Sequence, residues 1–354
     1  MRPLVFLVPG SISQRSGGYE YDRRIAAGLR ERGWVVNVKE LDPSFPRPTV
    51  AALDHAAQVL AAIPDDATVI VDGLAFGAMA AQAERERSRL RLVALVHLPL
   101  AAEVGIDHKE ADRLADSERT ALAAARAVIV TGDGTARVLR RYGVRPDRIA
   151  VVEPGTDRAP IARGSRNPLH LVSVAAVTPG KGHETLIRAL LPLRDRKWRL
   201  TCAGSVERHP PTAAHVIAML RTEDLEDRVS LVGELDAAAL GTLYDAADLF
   251  VHPTLHETYG MVVAEALARG MPVIGSATGA IPNLVGADAG LLVTPGDIDA
   301  LTCALSCVLD DEALREHLAA GARRVRDRLP TWDDAADGMA ALLARLESNG
   351  RFAR

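Results

Sequence analysis

Short apolar runs alternate with longer amphipathic stretches along almost the whole chain. Residues 4–8, 35–40, 69–71, 92–96, 127–130 and 149–152 read as strands, with helices over 19–32, 117–125 and 135–142 between them. A second series follows, with strands at 171–177, 199–203, 229–232, 247–251 and 271–274. Its helices are expected over 183–191, 240–246 and 260–268, and then over 299–310, 312–328 and 332–346. The strand runs are apolar rather than alternating, the mark of parallel strands buried on both faces. Gly33 and Gly270 stop the helices before them. The alternation of strand and helix predicts two doubly wound α/β units.

A chain of 354 residues with 48% hydrophobic content buries a full core and exceeds one ordinary domain. Residues 154–168, rich in Pro, Gly, Arg and Ser, read as the linker. The expected division is 1–157, joined by the closing helix 331–354, and 158–330.

Charge adds little to this picture. The net charge is −4 with both signs interspersed, and no basic block with interleaved aromatics points to nucleic acid. Arg85, Arg87, Arg89 and Arg91 are interrupted by Glu84 and Glu86 and have little apolar surface beside them, so a solvated helix end is expected rather than a membrane patch. Cys202, Cys303 and Cys307 form neither a metal-ligand nor a disulfide framework. The opening apolar run ends at Pro9-Gly10, too early for a secretory leader, and no stretch is long enough to span a bilayer. A reducing cytoplasm is the expected compartment.

The chemistry gathers in the stretch 251–284, VHPTLHETYGMVVAEALARGMPVIGSATGAIPNL. A strand enters a loop, a helix begins near Gly260, and a second strand leaves for a small-residue loop. Glu257 and Glu265 stand eight positions apart, one before the helix and one inside it. The amides of Tyr259, Gly260, Met261 and Val262 should point out of the helix start, where the dipole and unpaired N–H groups favour a phosphate. Carboxylates on either side of that anion site can accept from sugar hydroxyls, so a phosphate held between them suggests a nucleotide sugar. Each acid taken alone also fits a solvated or helix-capping role. Asp72 and His97 stand at strand carboxyl ends, where open α/β sheets bind ligands. Glu103, Asp107 and His108 follow in a polar segment that fits either an acceptor pocket or a solvated loop.

The 251–284 stretch resembles the E-x7-E signature of retaining glycosyltransferases of the GT-B fold, in the family numbered four. The match includes Tyr259-Gly260, Glu265-Ala266 and the exit Gly270-Met271-Pro272-Val273. The loop TPGKGH is similar to the family's donor-phosphate loop, with Lys181 at the lysine position, whereas Ala176 stands where the family has an arginine. The run VVEPGTD is similar to the segment closing the first domain, with Pro154 in place of the usual Asn, and Thr331-Trp332 to the crossing of the last helix.

The resemblance implies two Rossmann-like domains facing a central cleft. It further implies transfer of a hexose-type sugar from a nucleotide-diphosphate sugar, UDP- or GDP-linked, to a hydroxyl acceptor, and the absence of a clear basic membrane patch favours a small soluble metabolite or natural-product core as that acceptor. Lys181 and the helix start would hold the diphosphate, Glu257 and Thr258 the sugar side, and Glu265 the ribose. Gly17 and Gly18 would approach the donor phosphates or the acceptor, Gly233 and Glu234 the nucleobase, and His97 the transferred sugar. Asp72 and Glu103 would face the acceptor. Neither metal nor cofactor is expected, and Arg208 or His209 is a candidate replacement for the arginine. Two other readings stay open: a phosphorylase or synthase using a sugar phosphate, and a nucleotide-sugar-binding protein that has lost transfer.

Overall fold

The computed structural model describes residues 2–165 and 167–351, the last three as backbone only. The chain divides into two compact units, Met1–Gly155 with Pro330–Arg354, and Thr156–Leu329.

The first unit is built on six parallel strands: β1 (Arg2–Pro9), β2 (Trp34–Leu41), β3 (Thr68–Asp72), β4 (Arg91–Val96), β5 (Ala127–Val130) and β6 (Ile149–Val151). Its helices are α1 (Gly17–Glu31), α2 (Val50–Ala61), α3 (Gly73–Phe76), α4 (Ala80–Glu86), α5 (His108–Ala124) and α6 (Asp133–Arg141). The order β2-β1-β3-β4-β5-β6 reverses direction between β1 and β3. Both faces are dry: Val69, Val71, Leu92 and Ala94 pack under α2, α4 and α5, while Ile70, Val93 and Leu95 pack under α1. That two-sided burial is why the strands read as unbroken apolar runs.

The second unit repeats the plan with β7 (Leu169–Val174), β8 (Trp198–Ala203), β9 (Val229–Leu231), β10 (Leu249–His252), β11 (Val273–Ser276) and β12 (Gly290–Val293). The helices are α7 (His183–Leu190), α8 (Pro210–Thr222), α9 (Ala237–Asp245), α10 (Met261–Ala268), α11 (Ile281–Val285), α12 (Ile298–Asp310) and α13 (Glu312–Arg326). Here the order is β12-β11-β10-β7-β8-β9, and the reversal falls between β7 and β10. The last helix, α14 (Trp332–Arg351), belongs to the first unit, where Ala335, Met339, Leu342 and Leu343 join Tyr21, Ile25 and Leu29 in one core. Gly28 of α1 faces Ala336 so closely that a Cβ there would lie 2.5 Å from the alanine methyl.

Three differences from the sequence expectation have plain causes. Strand β12 and helices α2, α3, α8 and α11 are additions, most of them too short or too polar for a periodic signal. Helix α5 starts at His108, capped by Asp107, whose side chain accepts from the Glu110 amide at 2.8 Å. The polar segment therefore ends in a helix cap instead of a loop. Arg87 pairs with Glu84 at 2.8 Å and Arg89 with Asp65 at 3.0 Å beyond the end of α4, which uses the basic run locally. Among the described residues, no helix is long and apolar enough to cross a membrane.

Candidate functional site

Ligands of open parallel sheets bind outside the strand carboxyl ends where the order reverses. In the second unit that point lies between β7 and β10, and the two loops there are laced together. The Gly180 carbonyl accepts from the Leu255 amide at 2.8 Å and from Thr254 Oγ1 at 3.0 Å. Gly182 holds the turn with φ +69°, and a Cβ on it would overlap the Pro253 carbonyl. No residue with a side chain fits that turn.

This lacing brings Lys181 to Glu257, with Nζ 3.0 Å from Oε2. His252, buried at the end of β10, places Nε2 3.2 Å from the same oxygen, and the Thr258 amide donates to Oε1 at 3.1 Å. Burial pushes the Glu257 pKa up, but Lys181 and His252 outweigh it and hold the carboxyl far below its ordinary range. The carboxylate is therefore permanently charged. With three donors on it, it retains room for about one more hydrogen bond. Behind the pair, His183 is buried with neither ring nitrogen bonded. Its pKa falls to about 4, because burial, His252 and Lys181 all disfavour its charge.

Gly260, with φ +96°, caps α10, and its carbonyl accepts from the Val263 and Ala264 amides at 2.9 and 3.1 Å. The amides of Met261 and Val262 precede the first of those bonds and are orphan donors of the helix start. Tyr259 is buried beneath them. Glu265 lies half-buried one turn further along, accepting from Tyr244 Oη at 3.1 Å, and Arg269 stacks over the Tyr244 ring. Gly233 and Glu234 follow β9 at the sheet edge, two strands from the reversal, with Glu234 exposed. Ala176 lies beyond β7 under Gly204. His209 caps α8, its Nδ1 accepting from the Thr212 amide at 3.2 Å.

The first unit carries its own cluster at its own reversal. Gly17 and Gly18 open α1 behind the N-cap Ser16, and Gly18 lies against His97, whose Cδ2 would be 3.1 Å from a Cβ at that position. His97 Nε2 stands 2.9 Å from Asp22 Oδ1 and 3.5 Å from Asp72 Oδ2. Asp72 also caps α3 through Oδ1, which accepts from the Leu74 amide at 2.8 Å. Its pKa rises to about 7 through burial and the neighbouring Asp22, partly offset by His97 and the Leu74 amide. The three donor atoms lie within 4.8 Å of one another, close enough for a metal, although 2.9 Å is also an ordinary hydrogen bond. Glu103 lies elsewhere, paired with Arg47 at 2.8 Å on the surface, and Arg47 also reaches Glu110.

The sequence candidates thus fall into two groups, Lys181, Glu257, Thr258 and the α10 start in one unit, and Gly18, Asp72 and His97 in the other. Sequence reasoning missed Asp22, His183, His252 and Tyr244. A signal for Asp22 exists: Ile25, Ala26 and Leu29 follow it at helical spacing on the buried face of α1.

Two family models match adjoining segments, "Glycosyltransferase Family 4" over residues 12–159 and "Glycosyl transferases group 1" over 160–325. The D-inositol 3-phosphate glycosyltransferase of Corynebacterium diphtheriae is 28% identical over 251 residues, 64% of this chain and 58% of that protein. The chain thus matches less than two thirds of that relative's length. Among solved structures, sucrose-phosphate synthase from Thermosynechococcus elongatus superposes with a TM-score of 0.84 at 22% identity, covering 99% of this chain and all of that one. Anabaena HepE in complex with UDP-glucose gives 0.79 at 18% identity, covering 97% and 99%. These likenesses establish the GT-B fold, with a six-stranded parallel sheet in each unit. Together with the two family models, they show that the chain belongs to the group 1, family 4 glycosyltransferases.

Proposed function

We propose that the chain transfers a sugar from a nucleoside-diphosphate sugar to a hydroxyl of a small polyol or related metabolite, with retention at the anomeric carbon. The Lys181–Glu257 pair beside the uncommitted amides of α10 carries this reading. Lys181 and those amides offer fixed positive charge to a departing diphosphate, which is the largest electrostatic demand of the reaction. They supply what a divalent cation supplies elsewhere, so transfer should survive EDTA. Glu257 has one remaining acceptor position for a sugar hydroxyl, and Glu265, oriented by Tyr244, meets the ribose. The unit Thr156–Leu329 would hold the donor and the other unit, with His97, the acceptor. No protein nucleophile is needed if the leaving phosphate takes the acceptor's proton. The UDP-glucose complex of HepE favours a uridine diphosphate donor, and the inositol-phosphate relative favours a small polyol acceptor.

The test is a thermal-shift screen with UDP, GDP, ADP, dTDP and their sugars in EDTA, followed by acceptor trials with the best donor. Saturation at a hundred times Kd adds about 2.7 kcal/mol, a rise of several degrees. The rise should appear with one nucleotide family and vanish in Lys181→Met. A flat screen would sink the proposal. Donor bound but neither transferred nor hydrolysed would favour the binding-only reading that Ala176 motivates.

A further inference from the structure

Asp22 does no structural work that its neighbours require. It is fully buried, it stands on the apolar face of α1 between Tyr21 and Ile25, and its Oδ2 has no hydrogen-bond partner. Its Oδ1 meets His97 Nε2 at 2.9 Å. A buried carboxylate with an unsatisfied oxygen is expensive to keep. Such a group persists where it acts on something else.

We propose that Asp22 is the positioning residue for His97: it accepts from Nε2–H, fixes the ring's tautomer and direction, and leaves Nδ1 as the atom that meets a substrate hydroxyl. This rests on the glycosyltransferase reading above and names a residue that reading did not contain.

Three observations support it. Nε2 is occupied by Asp22 and lies 3.5 Å from Asp72, so Nδ1 is the nitrogen left for a ligand. The ring has little freedom, because Gly18 approaches Cδ2 and Tyr21 meets it edge-on with centroids 5.2 Å apart. The charges also fit. Burial lowers the His97 pKa, but the charge and hydrogen bond of Asp22, then the charge of Asp72, outweigh it and raise the value above that of free histidine. Tyr21, the other titratable group against the ring, is buried and stays un-ionised, with Oη donating to the Val152 carbonyl at 2.9 Å. Asp72, the other carboxyl facing the ring, is raised to about 7 by its burial and by the neighbouring Asp22. The arrangement presents a charged Nδ1–H donor below the raised midpoint and a bare Nδ1 acceptor above it.

The test reads the imidazole directly and needs no donor or acceptor, so its failure is separate from failure of the transferase reading. Ring 15N–1H correlation spectra of the full chain are recorded across pH, with the His97 signals assigned from His97→Gln. The wild type should carry its proton on Nε2 and titrate above about 6.5. Asp22→Asn should lower that midpoint by about one pH unit or more and let the tautomers mix. Asp72→Asn, which leaves the 2.9 Å bond in place, should shift it less. Once a substrate pair is known, Asp22→Asn should lower kcat about tenfold to hundredfold with donor KM nearly unchanged, and move the pH profile with the ring. A midpoint unmoved in Asp22→Asn, or moved further by Asp72→Asn, overturns the assignment. So does a wild-type ring protonated on Nδ1 alone, a result available even if Asp22→Asn fails to fold. Spectra that change when EDTA is added would also overturn it, because the cluster would then be holding a metal ion.

Discussion

Glu118→Gln should make the first unit more stable, and increasingly so as the pH rises. Glu118 sits fully buried on α5, with Oε2 accepting from the Leu100 amide at 3.0 Å and Oε1 unpaired. Burial raises its pKa from 4.5 to about 7, and the Leu100 amide only partly opposes that. The folded chain therefore keeps a proton that the unfolded chain loses at 4.5. A raised acid contributes its full stability below the unfolded value and loses it as pH rises through the folded one. The loss is spread between 4.5 and about 7 and amounts to roughly 3 kcal/mol above that window. The glutamine amide does not titrate, and its oxygen can still accept from Leu100. Its advantage over glutamate should grow by about 2 kcal/mol between pH 5 and pH 8. The measurement is urea unfolding in a Trp198→Phe background, where Trp34 and Trp332 report on the first unit alone. Parallel stability–pH curves for the two proteins would refute the buried, protonated carboxyl.

Other perturbations act on the two clusters. Lys181→Met leaves Glu257 charged and buried with only His252 and the Thr258 amide on it, so stability should fall by about 1–3 kcal/mol along with donor binding. Adding Glu257→Gln to it should recover stability but not binding, as paired unfolding and titration curves would show. Gly182→Ala forces a methyl into the Pro253 carbonyl at φ +69°, which should cost at least about 2 kcal/mol and separate the laced loops, visible as faster amide exchange at Leu255. Gly18→Ala puts a methyl about 3.1 Å from His97 Cδ2, so the fold should persist while the ring turns. Turnover should then fall about tenfold at unchanged Tm, whereas unchanged turnover would mean that His97 tolerates displacement.

The sheets and most of their helices were legible because both faces of each sheet are buried, which leaves uninterrupted apolar runs such as Val69–Val71 and Leu92–Val96. The α10 start was legible because its glycine, its acids and its exit strand are contiguous. Three of the buried polar residues that escaped share one physical cause. Asp22 lies on the stripe of Ile25, Ala26 and Leu29, Glu118 on that of Ala121 and Leu122, and His183 on that of Leu186, Ile187 and Leu190. Each interrupts a helical apolar face, which weakens the periodic signal and hides the residue that causes it. Helix α5 extends further towards its N-terminus than its apolar pattern, because its first half holds Glu110, Asp112 and Asp116 and buries only Leu114. The Lys181–Glu257 contact spans 76 positions and depends on the Gly182 turn, so spacing alone could not reveal it.

That contact also changes what Glu257 is expected to do. An acid assigned only to sugar hydroxyls would wait uncommitted, yet here one oxygen already neutralises the lysine meant for the diphosphate. A lysine ammonium has three donors, so Lys181 can hold Glu257 and a phosphate oxygen together, with the carboxylate aiming it. If so, Glu257→Gln has separable effects. Removing the carboxylate charge frees Lys181 for phosphate, and the affinity for UDP alone should hold or rise. The sugar half of the donor loses a charged acceptor, worth about 1.5–3 kcal/mol or roughly tenfold to a hundredfold. The ratio of UDP-sugar to UDP affinity, measured by titration calorimetry, should therefore collapse in the variant. Equal weakening of both ligands would mean that Glu257 serves the lysine and never touches the sugar.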